Sequence, residues 1–173
     1  MPNLFYYYKK IKTDICRNYY TKKVKKQCKR YGKNLRVNNP SNVTWNTIIK
    51  NNVNFNGMDI HGNGQVIIGN YFHSGIACLM ITQNHKYDGG NAIPYDNAKY
   101  ICKRIIIEDF VWLGSRVTIL PGVKIGEGAI IQGGAVVSSD IPPYAIAGGN
   151  PARVFKYRDI DYFKKLKAER KFC

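Results

Sequence analysis

Three histidines stand at equal intervals of 12 residues: His61, His73 and His85. Imidazole, with an ordinary pKa of about 6.5, is the side chain best placed to take or give a proton at neutral pH. It is also the commonest metal ligand, so the even spacing raises two readings, a metal set and a general base. The five cysteines (Cys16, Cys28, Cys78, Cys102, Cys173) add no Cys-x-x-Cys pair and no Cys/His zinc spacing. Their odd number argues for reduced thiols in a cytoplasmic protein rather than for a disulfide framework.

What positions these groups is a repeat. From Ile107 to Ile141 the chain reads in sixes: the first position (Ile107, Leu113, Ile119, Ile125, Ile131, Val137) is always Ile, Leu or Val. The fifth (Val111, Val117, Val123, Ala129, Ala135, Ile141) is always Val, Ala or Ile. A period of six fits neither an α-helix nor an alternating strand, and hairpins of a sandwich would need period-two alternation. It predicts an all-β fold, a parallel β-helix whose short strands wind into a prism. The aliphatic first position points inward and stacks on its equivalents, each contributing roughly 1.5–3 kcal/mol of transfer free energy. Glycines at 114, 122, 126 and 128 relieve the turns.

The same spacing continues more loosely from Ile48 through Ile60, Val66, Phe72 and Cys78, with Asn54 and Asn84 breaking it; Cys78 reads as core. It then stops. Residues 86–100 hold turn chemistry (Asp88-Gly89-Gly90-Asn91, Ile93-Pro94) and no repeat, which predicts a loop extruded from the coil. Residues 32–46 read as a connection, and Pro142-Pro143 ends the regular coil. Ile160, Phe163 and Leu166, with cations outside, predict a short basic helix capping the open end of the prism. The organisation expected is thus a basic aromatic N-terminal segment over 1–46, a β-helix domain over 47–158 with its loop at 86–100, and a basic C-terminal helix over 159–173.

The net charge of +16 is uneven: residues 1–36 carry 12 Lys or Arg against one acid, Asp14. Nucleic acid is the reflex reading, but no helix-turn-helix, RNP or zinc-finger pattern accompanies the charge, and nucleic acid is not expected as a partner. Clustered cations interleaved with Phe5, Tyr6, Tyr7, Tyr8, Tyr19 and Tyr20 suit an anionic membrane surface. The bland alternative is a solvated helix packed on the prism by Leu4, Tyr8, Ile11, Ile15 and Tyr19. Nothing resembles a signal peptide or a membrane span; the expected location is the cytoplasm, with peripheral contact at the inner membrane face through residues 1–36.

Four motifs in order, Asn84-His85-Lys-Tyr-Asp-Gly89, Val111-Trp-Leu-Gly-Ser115, Leu120-Pro-Gly-Val123 and Asp140-Ile-Pro-Pro-Tyr-Ala-Ile-Ala-Gly-Gly-Asn-Pro-Ala-Arg153, resemble the hexapeptide-repeat acyltransferases. Within that superfamily the likeness is to maltose/galactoside, xenobiotic and surface-polysaccharide O-acetyltransferases, over about residues 48–158. The resemblance implies a left-handed β-helix, an exception to the right-handed crossover rule. It also implies a homotrimer and acetyl-CoA as co-substrate, bound between subunits. Carbonic anhydrases of the same fold show a His-x-x-x-x-His pair that this chain lacks. With about 18 residues per three-sided coil, as the resemblance implies, a step of 12 changes face, so no metal is expected.

The resemblance also implies roles. His85, at the root of the loop, matches the family's catalytic histidine, a general base worth about 10²–10⁴-fold. Ser115 matches a residue near the thioester that helps hold the oxyanion, and equally reads as a turn serine. Trp112 matches an aromatic of the cleft or of the trimer seam. Gly114, Gly133, Gly134, Ser138 and Ser139 offer bare backbone and hydroxyls to the pantetheine arm, although relatives often carry Thr-Lys or Lys-Asp where Ser138-Ser139 stands. Arg153 and Lys156 match cations that meet the CoA phosphates. Asn56, in competition with Asn54, and Asn84, Tyr87 and Asp88 are the acceptor-side candidates. No Cys–His or Ser–His pairing in the motifs marks a covalent intermediate.

The expected activity is acetyl transfer to a hydroxyl of a sugar, a cell-surface polysaccharide or its precursor. A xenobiotic acetyltransferase, an amino-sugar N-acetyltransferase, and a non-catalytic basic scaffold are the competing readings.

Overall fold

A computed structural model describes residues 4–172, with side chains for 7–95 and 99–172; Met1 to Asn3 and Cys173 lie outside the described residues, as do the side chains of Leu4, Phe5 and Tyr6. Three parallel sheets form the sides of a prism. The first face includes Thr47–Ile49, Val66–Ile68, Ile105–Ile107 and Lys124–Ile125; the second includes Asn54–Phe55, His73–Ser74, Trp112–Leu113, Ile130–Ile131 and Ala145–Gly149. The third is Met58–His61, Cys78–Ile81, Thr118–Ile119 and Val136–Val137. Ile106 lies beside Lys124, Trp112 beside Ile130 and Thr118 beside Val136, a step of 18 residues on every face. The chain is a left-handed parallel β-helix. All six first-position and all six fifth-position residues of 107–141 are buried, which is why six-residue spacing encodes this fold. Two turn positions of each of these coils take a left-handed backbone: Gly128 (φ 67°) and Gly134 (φ 75°) fill them in one coil, Phe110 (φ 60°) and Arg116 (φ 59°) in the coil before. The non-glycine residues there cost roughly 1–2 kcal/mol each.

The structure departs from the sequence reading in four places. Between 47 and 60 the inward residues are Thr47, Ile49, Val53, Phe55, Met58 and Ile60, whereas Ile48 and Asn54 point outward. Asn54 therefore breaks nothing. The inward positions there lie one residue later than the six-residue count places them, and Phe55 fills the core edge-to-face with Phe72 (5.9 Å, 81°). Residues 30–46 are more than a connection: Arg30–Tyr31 pairs with Ile48 and Ile49, and Arg36–Val37 with Asn54 and Phe55, which starts the prism before residue 47.

The N-terminal helix α1 (Leu4–Gln27) does not pack by the expected face. Tyr8, Ile11, Ile15 and Tyr19 are 59–64% exposed, while Val24 is fully buried and Tyr20 and Cys28 rest against the core. Among its described side chains, those that reach the prism lie from Arg17 onward. There the Thr21 hydroxyl accepts from the Val37 amide (3.0 Å) and the Arg17 Nε donates to Asn38 Oδ1 (2.8 Å). Helical spacing marks an apolar face without saying what the face meets.

The C-terminal helix α2 (Ile160–Ala168), capped by the Asp159 carboxylate on the Tyr162 amide (2.9 Å), does not cap the open end. It runs along the corner between the first and second faces. Turn residues Tyr71, Phe110 and Tyr144 make an aromatic strip there, covered by Phe163 (5.8 Å from Phe110, 5.2 Å from Tyr144) and Phe172 (4.5 Å from Tyr71). The antiparallel hairpin Ala145–Gly149/Ala152–Tyr157 finishes the second face instead.

Candidate functional site

The insertion leaves the prism after Cys78–Ile81 and rejoins it at Ile105–Ile107, at the corner between the third and first faces. Its base is a hairpin, Gln83–Lys86 against Asp96–Cys102, so the second half of the expected loop is a strand. Asn84 lies opposite Ile101 and His85 opposite Tyr100. The His85 ring is held between two tyrosines, stacked on Tyr95 (4.0 Å, 23°) and tilted against Tyr100 (4.6 Å, 40°). Its Nδ1 is buried without a hydrogen-bond partner. Tyr87 and Asp88 follow on the exposed part of the loop.

A second cluster sits at the corner between the second and third faces. Trp112, about half exposed, stands on the second face between His73 and Ile130. Below it Gly75, Gly114 and Gly133 stack: a Cβ on Gly114 would run into the Gly133 amide nitrogen, and one on Gly75 into that of Ser115. Turns packed backbone on backbone leave a strip of bare main chain, along which the Gly134 amide donates to the Ser115 carbonyl (2.8 Å). The Ser115 hydroxyl accepts from the Ile76 amide (3.3 Å), a turn-serine contact that leaves a lone pair and its proton available.

Within one chain these clusters do not meet. His85 and Ser115 occupy opposite edges of the third face. Ser138 and Ser139, grouped with Gly133 and Gly134 on sequence, follow Val136–Val137 and so fall on the His85 side. Arg153 and Lys156 stand exposed on the terminal hairpin, opposite Gly148 and Ile146.

Asn56 belongs to a polar ladder that sequence reading missed. Arg17 Nε donates to Asn38 Oδ1; Asn38 Nδ2 donates to Asn54 Oδ1 (2.9 Å) and Asn56 Oδ1 (2.7 Å). Asn56 Nδ2 in turn donates to the Ser74 carbonyl (2.9 Å) and lies 3.2 Å from His73 Nε2. The ladder ties α1 to the second face and ends on His73, one strand below Trp112. The signal for it was the Asn-rich composition, illegible until the register placed Asn38, Asn54 and Asn56 side by side. Tyr95 and Tyr100 were missed because nothing in their spacing marks a ring clamp.

The three histidines fall on three different elements, the ends of the third face, the second face and the hairpin, as a step of 12 requires. Among the described residues no group of three or more His, Cys, Asp or Glu could hold a metal ion. Cys78 is buried, its Sγ 3.2 Å from the Gly114 carbonyl, and burial pushes its thiol pKa up.

Residues 104–139 match the family model for the bacterial transferase hexapeptide, six repeats. The matched segment is the stretch that winds most regularly, and the likeness of the chain to hexapeptide-repeat acetyltransferases extends from motifs to fold. A chloramphenicol acetyltransferase from Klebsiella aerogenes is 35% identical over 112 residues, 56% of this chain and 53% of the relative. The chain spans about half the length of the curated relatives that it matches. Among solved structures, a maltose O-acetyltransferase from Clostridium difficile superimposes with a TM-score of 0.60 at 28% identity, over 75% of this chain and 67% of that one. A hexapeptide-repeat acetyltransferase from Vibrio cholerae complexed with acetyl coenzyme A gives 0.53 at 28%, over 76% and 68%.

Proposed function

We propose that this protein is an acetyl-CoA-dependent O-acetyltransferase acting on a sugar hydroxyl of a cell-surface polysaccharide or its precursor. The single observation that carries the reading is His85, held at the base of the one hairpin extruded from the coil between two tyrosine rings. In the proposed reaction the acceptor hydroxyl gives its proton to His85 Nε2 as its oxygen attacks the thioester carbonyl. The tetrahedral oxyanion is met by Ser115 and backbone amides beside it. Collapse of the intermediate breaks the C–S bond and leaves acetyl on the acceptor oxygen, and the CoA sulfur departs with the proton returned by His85. Trp112, Gly114, Gly133, Gly134, Ser138 and Ser139 would line the thioester and pantetheine arm. Arg153 and Lys156 would meet the phosphates, and Asn56, Asn84, Tyr87 and Asp88 the acceptor.

Because His85 and Ser115 stand on opposite edges of one face, the reading requires a second copy of the chain to bring them together, and a homotrimer supplies three such seams. The acetyl-CoA complex of the Vibrio cholerae protein and the maltose O-acetyltransferase neighbour support the donor and the acceptor class. Residence in the cytoplasm, with peripheral contact at the inner membrane face through residues 1–36, belongs to the same reading. A second reading, acetylation of a drug hydroxyl, is favoured by the chloramphenicol acetyltransferase relatives and keeps the same base with a different acceptor.

The test is thiol release from acetyl-CoA across a panel of oligosaccharides, amino sugars and chloramphenicol, with His85→Ala alongside. Turnover on a sugar hydroxyl that falls at least ~10²-fold in the variant, with CoA binding retained, is expected. Full activity in His85→Ala would overturn the mechanism, and turnover on chloramphenicol alone would select the second reading.

A further inference from the structure

The outward face of α1 is apolar where water would be expected. Tyr8, Ile11, Ile15 and Tyr19 recur at helical spacing and stand 59–64% exposed. At about 100° per residue they form one stripe on the side turned away from Arg17 and Val24, which hold the helix to the prism. Exposed lysines at 12, 22 and 26 share the side of the stripe, and exposed Lys9 stands beside it. The single acid of the region does not offset them outwardly, because Asp14 Oδ1 is paired with Arg17 at 2.9 Å.

Three occupants of such a face can be weighed by chemistry. A second α1 would satisfy the apolar stripe but would bring two segments, each with 12 cations against one acid, into contact. A nucleic acid would satisfy the charge and leave the aliphatic residues unused. An anionic bilayer takes both: Ile11 and Ile15 enter the boundary between headgroups and acyl chains, the tyrosines sit at headgroup level, and the lysines meet lipid phosphate. No helix of the described residues is long and apolar enough to cross a membrane, so such contact is peripheral. We propose that α1 seats its Tyr8–Ile11–Ile15–Tyr19 face on an anionic lipid surface. This narrows the membrane contact of the proposed function to one helix face and one lipid chemistry, and it stands independently of the acetyl-transfer chemistry.

The test is co-sedimentation of the full chain with phosphatidylcholine vesicles and with vesicles that also contain phosphatidylglycerol. Binding to the anionic vesicles alone, weakened by salt, is expected. Replacing Tyr8, Ile11, Ile15 and Tyr19 together by Ser is expected to lower partitioning at least ~10-fold, with circular dichroism and assembly mass unchanged. Equal binding to both vesicle types, or undiminished binding of the quadruple variant, would overturn the proposal. So would a drop in assembly mass with vesicle binding intact, which would assign the face to a contact between copies, or loss of duplex DNA binding in place of vesicle binding. His85→Ala keeps vesicle binding whatever its effect on thiol release, so failure here and failure of the catalytic reading are separable.

Discussion

The His85 imidazole lies 4.0 Å from the Tyr95 ring at an interplanar angle of 23°, with Tyr100 closing its other approach at 4.6 Å. A ring clamped this way is held in one orientation, with Nδ1 buried. Tyr95→Ala is expected to lower kcat about 10-fold or more while leaving KM for acetyl-CoA unchanged, since the clamp touches the proposed base and not the proposed cofactor strip. Tyr95→Phe, which keeps the stack, is expected to restore kcat. Steady-state kinetics on the three proteins decides it.

The stacked glycine turns give a stability prediction. Gly114→Ala forces a Cβ into the Gly133 backbone and is expected to cost several kcal/mol or abolish folding, because main chain cannot step aside. Gly134→Ala meets no neighbour and pays only for its positive φ, about 1–2 kcal/mol. Thermal unfolding of the two variants should rank them in that order.

Helix α1 offers a contrast between its two sides. Val24→Ala, at a fully buried site, is expected to destabilise by about 1–3 kcal/mol, whereas Ile15→Ser on the outward face should stay within about 0.5 kcal/mol. Denaturant titration measures both. The contrast also shows where sequence reading ended. The six-residue period exposed the prism because every inward position of 107–141 obeys one rule. The helix exposed an apolar spacing but not its partner, since a buried stripe and a membrane-facing one look alike in one dimension. The Asn-rich coils hid their register because Val53-Asn54-Phe55 offers an apolar residue on either side of the asparagine.

The Lys124 ammonium, hydrogen-bonded to Glu108 at 2.8 Å, holds that carboxyl below the ordinary range. A carboxylate pKa depressed by folding contributes stability that is present above the unfolded value and is lost as pH falls through the folded value. The pair is substantially exposed and screened by solvent, so its contribution is small. Glu108→Gln is expected to lower stability slightly above about pH 4.5, where the carboxylate is charged, and to match the wild type in acid, so that the acid limb of its stability–pH profile flattens.

The placement of His85 and Ser115 on separate corners has a genetic corollary. If catalysis arises only at seams, a chain lacking the imidazole and a chain crippled at the serine corner each still own the half that the other has lost. Unfolded together and refolded as mixed assemblies, two inactive parents would regain a fraction of wild-type turnover that neither recovers alone. A protein whose working site lay within a single prism could never be rescued by such a mixture.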